Sequence, residues 1–95
     1  MKTQVLVNNM VIPLDDFTQR YIGSVLRGIA TSLGLPGSGI SLELDPGGLN
    51  LFSEEANIPV TTEFARNIVE STIRGMLSPI EGVVWVERIT INTRE

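Results

Sequence analysis

Cysteine and histidine are both absent from this chain of 95 residues. That excludes a disulfide framework, a thiolate nucleophile, an imidazole base and the usual ligands of a structural zinc site. Lysine occurs once, as Lys2 near an N-terminus expected to fray, so no Schiff-base lysine is expected. Basic residues are few: seven Lys and Arg stand against eleven Asp and Glu, a net charge of −4. A nucleic-acid binder draws its affinity from neutralised phosphates, and this balance argues against one. Long apolar runs are missing as well. None approaches the ~20 residues that span a bilayer, and the short apolar start is broken by Asn8 and Asn9 before it resembles a secretory leader. The expectation is a cytoplasmic protein with no catalytic residues, no cofactor, no metal, and no nucleic-acid or membrane partner.

What is present is the composition of a folded domain, 42% hydrophobic and 19% charged, expected to span residues 1–95 as one unit. Gln4 to Ile12 is rich in Val, Ile and Leu and reads as extended, closed by Pro13. One strand over 4–12 is the preferred reading. The alternative is a short hairpin turning at Asn8-Asn9, since consecutive asparagines tolerate positive φ. From Asp15 to Leu33 the period is helical, with Phe17, Tyr21, Ile22, Val25, Leu26, Ile29 and Leu33 on one face, Asp15 as N-cap and Gly34 as a left-handed end. Ile40, Leu42 and Leu44 alternate with polar residues, Asp45-Pro46-Gly47-Gly48 is a turn with glycine supplying positive φ at its third position, and Leu49 and Leu51 resume the alternation. An antiparallel hairpin of 40–45 and 49–53 follows. A second helix runs from about Thr62 to Leu77 with Phe64, Ala65, Ile68, Val69, Thr72, Ile73 and Met76 as its apolar stripe, and Pro79 stops it. Gly82 to Asn92 reads as a last long strand with a bulge near Glu87. No internal repeat or low-complexity tract stands out.

Strand, helix, strand, strand, helix, strand is the split βαβ order, βαββαβ. The expectation is an α+β, ferredoxin-like domain: a four-stranded antiparallel sheet with two helices on one face. Gly28 and Gly75 fall within the apolar arcs of the two helices, where they would allow the close backbone approach of helices lying side by side on a sheet; the plain alternative is a tolerated cost in helix propensity. The layout resembles that of ACT and BON domains, in architecture and not in any motif.

Motifs that carry chemistry are few. Gly34-x-x-Gly37-x-Gly39 follows a helix and precedes a strand, the reverse of a phosphate-binding loop. Asp15-Asp16 and Glu54-Glu55 lack the spaced oxygen ligands that a hard cation requires and read as helix-terminal and loop charges. Among ferredoxin-like activities, metal chaperoning lacks its cysteines, acylphosphatase chemistry lacks an arginine after the first strand, and RNA recognition lacks an aromatic sheet in a basic chain.

Val83, Val84, Trp85 and Val86 form the most apolar run of the chain. In the ferredoxin-like order they belong to an edge strand, and an uncharged apolar edge is an association surface unless covered. Trp85 either fills the core or anchors that contact. The resulting expectation is a small non-catalytic interaction or assembly module, a homodimer pairing through its last strand or open sheet face. The alternative is a small-molecule-binding regulatory domain, ACT-like, with ligand at a protomer interface near the first strand–helix junction.

Overall fold

A computed structural model of the chain describes residues 2–35, 38–80 and 87–94. In chain order the elements are β1 (Lys2–Val7), β2 (Met10–Ile12), α1 (Asp16–Ser32), β3 (Ile40–Asp45), β4 (Gly48–Phe52), β5 (Asn57–Pro59), α2 (Glu63–Leu77) and β6 (Ile89–Arg94).

The protein is α+β: the described residues form two helices and one antiparallel sheet of six strands in the order β2-β1-β6-β3-β4-β5. The four-stranded ferredoxin-like sheet is therefore not matched in strand count. The first difference is local. Asn8 and Asn9 adopt φ of 52° and 68°, the left-handed pair of a type I′ hairpin turn, so the segment 4–12 folds back on itself as β1 and β2. The second is the short strand β5, which pairs Ile58 with Leu51. The third is long-range: β6 lies between β1 and β3, opposite Val5 through Ile91 on one side and opposite Leu42 through the same residue on the other. The last strand is thus central rather than an edge. The edges are β2 and β5, three residues each, and β5 ends in Pro59. Short length and proline are two of the ways in which natural sheets blunt their edges.

One side of the sheet is apolar because alternate residues point the same way. Val5 and Val7, Ile89 and Ile91, Leu42 and Leu44, and Leu49 and Leu51 are all buried. Ile22, Leu26 and Ala30 of α1 and Val69, Ile73 and Leu77 of α2 join the same cluster, which places both helices on that side. The other side carries half-buried polar residues, among them Ser41, whose hydroxyl donates to Asn92 Oδ1 at 2.7 Å.

Helix ends follow the expected chemistry. Asp15 Oδ1 accepts from the Thr18 backbone N–H at 2.7 Å, and that bond, with one from the Thr18 hydroxyl, lowers the Asp15 pKa. At the other end, Gly34 (φ 76°) sends its N–H to the Thr31 carbonyl and Leu35 sends its own to Ala30, a Schellman motif with buried Leu35 as its apolar closure. The 45–48 turn places its positive φ on Gly48 rather than Gly47.

Gly28 and Gly75 do not mark a helix–helix contact within the chain. Both are exposed, and among the described residues a Cβ built at either meets nothing within 4 Å. Overpacking is therefore not the expected consequence of a larger residue at these positions.

Thr3 and Thr93 are the buried polar pair, their hydroxyls 2.9 Å apart across β1 and β6. Thr93→Val is expected to lower the unfolding free energy by about 1 kcal/mol, because the Thr3 hydroxyl loses its partner. The double variant Thr3→Val/Thr93→Val should recover most of that loss in urea titrations.

Candidate functional site

Two surfaces stand out, and neither is built around an ordered catalytic pair. Where β1, β3 and β6 meet the start of α1, a cleft of about 790 Å³ is lined by Lys2, Gln4, Gln19, Glu54 and Arg94 among others. Its polar groups are largely committed to the fold. Gln19 accepts from the Thr3 N–H and donates to the Leu14 carbonyl, each at 3.3 Å. Glu54 accepts from the Ser38 N–H at 3.3 Å. Its pKa is lowered, first by its own backbone N–H and then by that of Ser38. These bonds tie loop to sheet. Among the described residues no cluster of three or more acidic side chains gathers where a metal ion could be held.

The second surface lies on the helix side. A groove of about 540 Å³ runs between the first half of α1, through Phe17, Tyr21 and Ile22, and the end of α2, through Gly75, Met76 and Ile80. On the α1 side its rim is apolar: Phe17 is 68% exposed and Tyr21 55%, with their rings 6.0 Å apart. Away from the groove, in the first turns of α2, Phe64 is 74% exposed and Ile68 50%.

The apolar periodicity assigns these four residues to the buried faces. In the structure the buried arcs are narrower. Ile22, Leu26 and Ala30 face the sheet, and Phe17 and Tyr21 lie about 100–180° around the helix from them, on the outward side. Val69, Ile73 and Leu77 leave Phe64 and Ile68 outside in the same way. The legible signal was an apolar arc too wide for one helix on one sheet.

The interface residues expected from the apolar run, Val83, Val84, Trp85 and Val86, lie outside the described residues. What the structure does place is the strand that follows them: β6 is paired on both sides from Ile89 to Thr93. Among the described residues no helix is long and apolar enough to cross a membrane. No family model, no curated protein and no solved structure matches the chain.

Proposed function

We propose that the protein is a small non-catalytic assembly module that self-associates through its helix layer. The observation that carries this reading is the set of four large apolar side chains, Phe17, Tyr21, Phe64 and Ile68, each at least half exposed on the outer side of the helices. Aromatic residues are enriched at the centres of protein interfaces. The open sheet face is the more polar surface: its apolar residues Leu6 and Phe52 are half-buried and Val11, opposite Leu6, is 58% exposed, among Gln4, Glu43, Thr90 and Asn92. From Ile89 to Thr93 the last strand has neighbours on both sides and offers no free edge, while residues 83–86 lie outside the described residues.

The double variant Phe17→Ser/Phe64→Ser is expected to shift the solution mass from dimer to monomer, as light scattering at micromolar concentration would read it. Leu6→Ser/Phe52→Ser, on the sheet face, should leave the dimer intact. The reverse pattern would move the contact to the sheet and overturn the assignment.

A regulatory ligand-binding reading rests on the 790 Å³ cleft, which lies at the β1–α1 junction where an ACT-like ligand is expected. Several of its polar groups, Gln19, Glu54, Ser41 and Asn92 among them, already hydrogen-bond within the fold, which makes it the weaker of the two.

A further inference from the structure

The sheet order β2-β1-β6-β3-β4-β5 is unchanged when read from the other end, with β1, β2 and β3 exchanged for β4, β5 and β6. Each half of the chain is thus one ββαβ unit. At the centre, Glu43 lies directly opposite Thr90, Leu42 opposite Ile91 and Leu44 opposite Ile89. A two-fold axis through the Glu43–Thr90 pair, normal to the sheet, exchanges Leu42 with Ile89 and Leu44 with Ile91, residues spaced 47 apart in the sequence. The same spacing aligns the helices. Phe17 falls on Phe64, Ser24 on Ser71, Arg27 on Arg74 and Gly28 on Gly75. Tyr21 with Ile68, Ile22 with Val69, and Leu26 with Ile73 keep their apolar character.

Packing accounts for the inner matches, because Ile22, Val69, Leu26 and Ile73 are all in the core. It does not account for the outer ones. Phe17 and Phe64 are each more than two-thirds exposed. Gly28 and Gly75 are exposed, with nothing among the described residues to crowd a side chain there, and alanine is the better helix former at such a position. Both helices nevertheless carry one outward stripe: Phe-x-x-x-Tyr-x-x-Ser-x-x-x-Gly in α1 and Phe-x-x-x-Ile-x-x-Ser-x-x-x-Gly in α2.

Resting on the self-association reading above, we infer that this stripe is a docking surface present twice in the chain, and that its occupant is the same stripe of a second copy, packed helix layer against helix layer. The stripe is bulky in its first half and small in its second. Run antiparallel to itself, it sets Phe and Tyr or Ile against Gly and Ser, and the glycine lets the backbones come close. The stripe itself contains no charged residue, so no charge is buried where stripe meets stripe. The two stripes share one face, so a single face-to-face approach engages both. The broad face of a molecule measuring 31 × 29 × 19 Å is large enough for the ~800 Å² per partner of a standard interface.

The test is the dimer dissociation constant of the full chain by sedimentation equilibrium, for wild type, Gly28→Leu and Gly75→Leu. Both positions are open in the protomer, so each variant should fold, as circular dichroism would show, and each should weaken the dimer by roughly ten-fold or more. Ser24→Leu and Ser71→Leu serve as the second pair if a leucine at glycine disturbs the helix. A dimer indifferent to all four changes overturns the stripe while sparing self-association. Weakening by changes on one helix only overturns the duplicated surface. A wild type that stays monomeric at high micromolar concentration overturns both proposals, and leaves the stripe to a different partner.

Discussion

Truncating Leu26 or Ile73 to alanine is expected to cost about 2–5 kcal/mol in each case. Both side chains are fully buried, and they occupy equivalent places on α1 and α2, 47 residues apart in the sequence. The loss combines the transfer of the deleted atoms with the cavity left under a helix anchored to the sheet on that side only. A domain of this size has roughly 5–15 kcal/mol to lose, so the double variant should be largely unfolded at room temperature. Urea titration checks this through the midpoint, with the slope unchanged if the unfolded state is unaltered. If either single variant lost less than about 1 kcal/mol, that helix would not be seated on the core as described.

Asn8→Ala is the second large effect, expected at about 2 kcal/mol from two separable sources. Asn8 Oδ1 accepts the backbone N–H groups of Glu87 at 2.8 Å and Arg88 at 3.0 Å, and the Asn8 N–H donates to the Arg88 carbonyl at 2.9 Å. The side chain therefore ties the first hairpin to the start of β6. Alanine removes that acceptor and is also disfavoured at φ 52°. Asn8→Gly keeps the backbone conformation and loses only the side-chain bonds, so it should fall about halfway. Equal losses for the two variants would mean that the left-handed conformation contributes nothing measurable.

Local features were the legible part of this fold. Both helices, the Asp15 cap, the Gly34 terminus and the 40–45 hairpin partner follow from periodicity and turn chemistry, which act over a few residues. The position of β6 does not, because strand order depends on contacts between residues as distant as Val5 and Ile91. Asn8-Asn9 carried a genuine turn signal, but one weaker than Asn-Gly, and the three-residue arm of β2 buries little beyond Ile12. The two-fold correspondence of the halves was hidden by sequence differences and by unequal hairpin loops: Asn8 and Asn9 form the whole of the first turn, while residues 53–56 join β4 to β5. That difference shifts the alignment between strand and helix, so a search at one fixed spacing finds the helices and misses the hairpins. The outward stripes were misassigned for a simpler reason. Periodicity shows which residues share a helix face, and only the packed structure shows how much of that face is covered.

Sedimentation equilibrium of the unmodified chain across the micromolar range tests the central claim most directly. Self-association through the helix layer predicts a mass approaching twice the 10.4 kDa of the chain, falling toward the monomer value on dilution. A mass that stays at the monomer value throughout that range would contradict it.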